Sequence, residues 1–515
     1  MDSFVNSNSK NDSETNIISG KERKLFYQEL TTTITDKPKD SFNLVYLSFI
    51  FQGATLLMPF STYLFLVDFY TEKFCELNLL YWAMVSVILC TSLSFAFITT
   101  IIADRVSLSK RLVTGHILFI LSLSSFLLFT VLTSLGIFDS APHAIGYVPL
   151  ISGFISGIGS GIIQPSYYGL SSLLPPRYTQ ALVVGETASG VIIACFRVGT
   201  RLLKPAGSCE SYDTVIFIAL TVVFMIVSIP VLKFIYWHKY TNYWFKLVQK
   251  NFLIEYRVLD QHSTDSFDED ESVIAGRTDT LISEYTTTFG DGNVSRKFNG
   301  LKLTIQKKFI IFKKTWKLQL TILSAMIITL LLYPTFLTAA YTCGSQLCDW
   351  GPIITLCVFT LFDFITRWVI LIPVKYNQCV LLLLSLTRIL FIPLFAIFIF
   401  PISNPLVSFK FGFPIFQIVV AVFGVSNGFF ASIPLMLIPT KLNASDKESG
   451  GIIGIFMLFI GLAVGILLSL PFYETVLVRT SNTTNLCCLS HVGNTTWSIF
   501  KNNTISMPGE CTCGI

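Results

Sequence analysis

Few residues in the apolar parts of this chain carry charge, and chemistry could reside in those few. Glu186 stands alone among Val, Ala, Gly and Ser in the run VVGETASGV. An ionisable side chain in an apolar membrane helix is costly and faces a bundle interior or a cavity. Glu186 has no opposite charge three or four residues away, and Arg197 is eleven residues on, nearly on the same helical face but ~16 Å along the axis. The carboxylate must therefore find a partner on another helix, take up a proton, or meet a cationic or polar group of a substrate. Two readings follow. In one, Glu186 reads positive charge on a substrate and confers pH sensitivity; in the other it pairs with an arginine of another helix.

Asp363 and Arg367 are four residues apart, acid first, the favourable order for a pair on one helical face. Pairing lowers the cost of holding both in the membrane. The pair reads either as a structural lock or as a holder of polar substrate groups, and faces the interior in both cases. Arg388 competes with Arg367 for the two carboxylates. Gln164 brings two donors and an acceptor into an apolar run, for an interhelical bond or for substrate. Asn427, within Ser426-Asn427-Gly428, does the same. Phe60 and Tyr63 could form an aromatic wall for a ring or cation, and Asp68 ends its apolar run at the interface.

The composition states what must position these groups. Of 515 residues, 52% are hydrophobic and 13% charged, against roughly 25% charged in soluble proteins. That is an all-α polytopic membrane protein. The net charge of +5 is small and no basic tract points to nucleic acid. There is no G-x-x-x-x-G-K-[ST], no H-E-x-x-H, no cytosolic C-x-x-C and only five His. A nucleotide-driven pump and a metalloprotease are excluded on these patterns. No nucleophile–base pair or metal set is visible, so no enzyme, cofactor or metal is expected. The partners are a small-molecule substrate and the lipid bilayer.

Eleven stretches are long enough to cross a hydrocarbon core of ~30 Å: 43–68, 79–102, 112–135, 145–170, 181–203, 213–236, 318–341, 352–374, 379–401, 411–438 and 450–473, with ten or twelve as the alternative count if 411–438 or another long run divides differently. Arg105, Lys110 and Arg111 follow the second, Arg177 the fourth, and thirteen Lys and Arg the sixth, whereas the opposite loops hold chiefly Lys73, Lys204 and Lys410. The positive-inside rule then places the N-terminus in the cytosol and, after eleven crossings, the C-terminus outside. The expected organisation is a cytosolic tail (1–42), helices 1–6 (43–236), a largely disordered cytosolic loop (237–317) with the acidic run Asp265–Glu271, helices 7–11 (318–473), and an extracellular tail (474–515). A six-plus-five split suggests two bundles with a substrate site between them near the midplane. Gly153, Gly157 and Gly161, and the pairs Gly450/Gly454 and Gly461/Gly465, have the spacing that lets helix backbones approach.

These residues carry a family resemblance. Gly53-Ala-Thr-Leu-Leu-Met-Pro59-Phe60, Gln164 before Tyr168-Gly169-Leu170, Phe362-Asp363 with Arg367, Arg388-Ile-Leu-Phe391-Ile-Pro393 and Ser426-Asn427-Gly428-Phe429 occur in this order. In that order they resemble the equilibrative nucleoside transporter family (solute carrier family 29). Within it, Arg177-Tyr178-Thr179-Gln180, Gly185-Glu186, Ala103-Asp104-Arg105-Val106-Ser107-Leu108 and Asp68-Phe69-Tyr70 are similar to the plasma membrane monoamine transporter branch. Nucleoside-selective members usually carry Gln at the position of Glu186.

The resemblance implies a major-facilitator-like fold without its twelfth helix, working by alternating access. It implies sodium-independent facilitative transport of monoamines and other organic cations in the plasma membrane, with adenosine as a secondary substrate. The alternative is a nucleoside or nucleobase carrier. It places Gln164, Asp363 and Arg367 where nucleoside-type members contact nucleoside. The chain departs from the family pattern at Ser160, where many members have Gly, and at Phe60, where Trp is frequent. The monoamine branch carries Lys where this chain has Arg367, which keeps nucleoside binding open.

The C-terminal tail adds three acceptor sequons, at Asn482, Asn494 and Asn502, and Cys487, Cys488, Cys511 and Cys513. Sequons and clustered cysteines suit an oxidising exterior. On this topology Asn293 and Asn443 face the cytosol. Peptide N-glycosidase treatment of the expressed chain is therefore expected to lower its apparent mass. Replacing all three tail asparagines with Gln should abolish that shift, and replacing Asn293 and Asn443 should not.

Overall fold

The computed structural model describes residues 38–66, 69, 80–103, 106–135, 147–202, 212–247, 300–333, 351–370, 376–399 and 409–472. The tail sequons Asn482, Asn494 and Asn502, the tail cysteines, Asp68 and the acidic run lie outside these residues.

The helices are α1 (Leu44–Leu64), α2 (Leu80–Ile102), α3 (Leu108–Ser134), α4 (Tyr147–Ser172), α5 (Pro176–Leu202), α6 (Tyr212–Trp237), α7 (Gly300–Leu332) and α8 (Gly351–Val369). Next comes α9, in three pieces: Gln378–Leu386, a 3₁₀ turn Thr387–Leu390, and Phe391–Ile399. Last are α10 (Phe409–Leu437) and α11 (Lys447–Phe472).

Among the described residues, ten helices are long and apolar enough to cross a membrane. Of the stretch expected at 352–374, Gly351–Val369 is helical and is not one of the ten; residues 371–374 lie outside the described residues. The protein is thus an all-helical, multi-pass membrane protein. Exposed Ile117, Leu121 and Leu128 on α3, and Ile418 and Val422 on α10, form outward stripes suited to lipid. Pro59, Pro165, Pro230 and Pro434 sit inside helices, as membrane helices tolerate where neighbours satisfy the freed carbonyls.

Three boundaries differ from the sequence reading. Helix α7 starts at Gly300, well inside 237–317, and residues 239–247 are helical too. The basic residues of 307–317 that read as loop are one continuous helix with the apolar run, because nothing between them breaks it. Helix α3 starts at Leu108, so Arg111 lies in its first turns and is buried. Helix α5 starts with Pro176 at its first position, where the missing N–H costs nothing.

The helices pack in two groups. In the first, α1 lies against α5 and α6, and α4 against α2 and α3; in the second, α7 lies against α9, α10 and α11, and α8 against α10. The groups meet through α2 and α4 against α11, and through α5 against α8 and α10. The α1–α5 contact is backbone to backbone. A Cβ at Gly53 would overlap the Leu182 carbonyl, and one at Gly185 would overlap the Ile50 carbonyl and come within 2.8 Å of the Ala54 nitrogen. Gly157 and Gly161 give α2 the same access to α4, where Thr99 Oγ1 donates to the Gly161 carbonyl at 3.0 Å.

Gly185→Val should accordingly destabilise the fold by ~1–3 kcal/mol or more, since an inserted side chain meets main chain that cannot yield. Gly199→Ala, where an added Cβ meets nothing within 4 Å, should be neutral or gain up to ~1 kcal/mol of helix propensity. Thermal melts of the purified variants in detergent check both.

Candidate substrate site between the two helix groups

Glu186 lies on α5 two turns past the Gln180 position, directly after the glycine that seats α5 on α1. Its side chain is 3% exposed. Both carboxylate oxygens are engaged by α4: Gln164 Nε2 donates to Oε1 at 2.7 Å and Tyr168 Oη to Oε2 at 2.7 Å. Gln164 and Tyr168 are four residues apart and so share one helical face. The Gln164 carbonyl oxygen is buried and, among the described residues, accepts no hydrogen bond.

Across the boundary between the groups stands Arg367 of α8. Its Nε and Nη2 donate to the two oxygens of Asp363 at 3.3 and 3.2 Å, a two-pronged contact within one helix. Its Nη1 points the other way and lies 3.9 Å from Glu186 Oε2. Gln180 Nε2 of α5 donates to the Arg367 main-chain carbonyl at 3.4 Å, a second link across the same boundary.

Asp363 continues the network into α10 and α7. Asn427 Nδ2 donates to Asp363 Oδ1 at 3.2 Å, and Thr329 Oγ1 lies 2.7 Å from Asn427 Oδ1. Arg388 closes the chain: Nη2 donates to Thr329 Oγ1 at 2.9 Å, Nη1 to the Ala325 carbonyl at 2.7 Å and Nε to Ser426 Oγ at 3.1 Å. Its guanidinium lies 5.0 Å from the Phe423 ring centroid. Arg388 sits in the 3₁₀ turn that interrupts α9. This run of two carboxylates and two guanidinium groups is formally neutral, and its hydrogen bonds meet the requirement that buried charge be paired.

The structure thus gathers Glu186, Gln164, Asp363, Arg367 and Asn427 into one cluster. Arg388 does not compete for Glu186; neutral acceptors and Thr329 hold it. Tyr63, expected in an aromatic wall beside this site, is elsewhere: its hydroxyl bonds Ser122 and Ser152, and its ring packs edge-on to Phe126 at 5.2 Å. Ser152 precedes Gln164 by twelve residues on α4, ~18 Å along the axis. Phe60 is half-buried beside Ser61, whose Oγ lies 3.5 Å from Ser189 Oγ, one turn beyond Glu186.

Two contributors were not singled out from sequence. Tyr168 could have been, because it is four residues past Gln164. Thr329 could not, being one hydroxyl among many in apolar helices. Arg197 pairs with Asp213 of α6 at 3.1 Å, and Arg111 with Glu448 of α11 at 2.7 Å. Among the described residues, no group of His, Cys, Asp and Glu could hold a metal.

A family model described as Nucleoside transporter matches residues 150–473, more than half of the chain. The chain belongs to the nucleoside transporter family. It is similar to equilibrative nucleoside transporter 4 of Danio rerio, with 24% identity covering 85% of each chain. Against the protein of that name from Homo sapiens identity is 24%, covering 82% of this chain and 81% of the relative. It is also similar to nucleoside transporter FUN26 of Saccharomyces cerevisiae, at 23% over 87% of this chain and 88% of the relative. Among solved structures, the major facilitator superfamily proton:xylose symporter XylE bound to 6-bromo-6-deoxy-D-glucose superposes with a TM-score of 0.51. That match has 12% identity and covers 88% of this chain and 93% of the symporter; it speaks to the fold alone. This nucleoside transporter family member is therefore a membrane transport protein with a major-facilitator-like fold, and not an enzyme.

Thr329 joins the Arg388 and Asn427 parts of the cluster. Thr329→Val keeps the shape but leaves Arg388 Nη2 and Asn427 without this partner, and should cost ~1–3 kcal/mol. Thr329→Ser should stay near wild type. Thermal unfolding of the two variants in the same detergent separates the hydroxyl from the methyl group.

Proposed function

We propose that this family member is a facilitative, sodium-independent carrier of organic cations such as monoamines, with adenosine as a secondary substrate. The observation that carries the reading is the environment of Glu186. Neutral donors fix both its oxygens and, among the described residues, its one ion-pair partner within 4 Å is Arg367 at 3.9 Å and the Gln164 carbonyl oxygen beside it is an open acceptor. A carboxylate and a free amide oxygen together suit a ligand with a charged amine, whose N–H groups satisfy both. The sequence resemblance to the monoamine branch at Gly185-Glu186 supports the same reading.

Substrate would bind Glu186 and Gln164 from the first helix group and Asp363, Arg367 and Asn427 from the second. Phe60 would offer a ring face near Glu186. Helix α8, 19 residues or ~28 Å long, would serve as the eleventh crossing, with its charges turned to the interior. That gives a six-plus-five arrangement, a cytosolic N-terminus and an exterior C-terminus in the plasma membrane. Alternating access follows if the groups rock about the α5–α8 and α2–α11 contacts.

A nucleoside carrier is the second reading. Arg367 within ion-pairing distance of Glu186 favours it, because a neutralised carboxylate offers hydrogen bonds without selecting for charge.

Uptake of radiolabelled serotonin and adenosine in voltage-clamped oocytes distinguishes them. Wild type should take up serotonin faster on hyperpolarisation. Glu186→Gln should lose at least tenfold of that uptake while keeping or gaining adenosine. Adenosine uptake alone in wild type, unchanged in the variant at matched surface expression, would assign Glu186 a purely structural role.

A further inference from the structure

Resting on the cation-carrier reading, we infer that Arg367 is a built-in stand-in for the substrate cation: in the empty carrier it neutralises Glu186, and so it governs how fast the empty site returns across the membrane.

Facilitative net transport requires the unloaded site to reorient, and the unloaded site contains Glu186. A lone carboxylate 3% exposed among apolar helices opposes every step that keeps it from water. Gln164 and Tyr168 hold its oxygens but bring no full charge. They also sit on α4, in the same helix group as Glu186, and would travel with it. A positive charge must come from the substrate or from the other group.

Arg367 is built to supply it. Two of its three nitrogens are committed to Asp363, and the third, Nη1, faces Glu186. At 3.9 Å that contact is an ion pair without the short bond of a locked one. Asp363 has a second donor in Asn427, so it is not left bare when the guanidinium leans toward Glu186. The Gln180 bond to the Arg367 carbonyl keeps α8 within reach of α5. A substrate ammonium arriving at Glu186 and the open Gln164 oxygen makes the Nη1 contact redundant, and Arg367 withdraws to Asp363. The resident cation and the substrate cation thus alternate at one carboxylate. Charge is conserved within the site, and the substrate's own charge is what crosses the field.

The test separates net flux from exchange in proteoliposomes containing the full-length protein, with radiolabelled serotonin as probe. Net uptake into substrate-free vesicles needs the empty carrier to return; exchange against internal unlabelled serotonin does not. Arg367→Gln is expected to lower the ratio of net uptake to exchange at least tenfold relative to wild type. Arg367→Lys, which keeps the charge, should restore net uptake to within about threefold. In the Glu186→Gln/Arg367→Gln double variant, the ratio of net uptake to exchange of adenosine should exceed that of Arg367→Gln alone, since one carboxylate fewer is left without a cation.

Asp363→Asn supplies a second handle, independent of whether the Arg367 variants fold. It releases Arg367 toward Glu186 and should raise the ratio of the serotonin KM to the adenosine KM about tenfold. Parallel loss of net uptake and exchange in Arg367→Gln, or no loss in either, overturns the inference while leaving the cation reading intact. An unchanged or lowered ratio of the serotonin KM to the adenosine KM in Asp363→Asn does the same. Absence of serotonin flux from wild type in both modes removes the cation reading, and this inference with it.

Discussion

The architecture depends on one electrostatic constraint: charge carried by a membrane helix has to be met by charge or strong donors inside the protein. In water the contacts of Arg367 would contribute little. In a medium of low polarity each is magnified, and an uncompensated member is strongly unfavourable. Asp363, Arg367 and Glu186 therefore form a single electrostatic unit although two belong to α8 and one to α5. The unit lies across the boundary between helix groups, so the boundary is held by the same interaction that a ligand would have to enter. Packing alone, with lipid as apolar as the side chains, gives no comparable reason for α5 and α8 to stay together.

The two ends of the polar run are built differently. Around Glu186 the donors are neutral and come from one helix, α4. Around Arg388 the acceptors are mostly a main-chain carbonyl and hydroxyls, gathered from α7 and α10. The 3₁₀ turn that carries Arg388 tightens α9 at that level. Arg388 is thereby a fixed brace of the second group, while Arg367 retains one nitrogen that no short bond immobilises. Of two buried arginines, geometry leaves one free to respond and the other not.

Much of this was legible from residue types. The Asp363–Arg367 pair followed from spacing, and the inward placement of Glu186, Gln164 and Asn427 from the cost of polarity in an apolar run. The partner of Glu186 was not legible, since Arg367 and Arg388 were equivalent by count and only the arrangement of α7 and α10 removes Arg388. Tyr63 misled for a related reason: an aromatic four residues past Pro59 on α1 has two sides, and serines on α3 and α4 claim this one. Helix boundaries were misread where charge was mistaken for an end. Arg111 reads as loop by charge, yet Glu448 is placed to receive it inside the fold, and the lysines of 307–317 continue α7 because helix propensity does not stop at a polar residue.

The main-chain contact between Gly53 and Gly185 has a kinetic corollary. With no side chain between α1 and α5, these helices have no room to slide, and Glu186 follows Gly185 directly. If the two helix groups rock as proposed, the carboxylate and its α4 donors keep their spacing as a single template, whichever membrane face they open to. On that proposal, what varies between outward and inward states is the complement presented by α8 and α10. Sidedness in affinity, and the selectivity of one-sided inhibitors, should thus originate in the second helix group, with the first acting as an invariant reference.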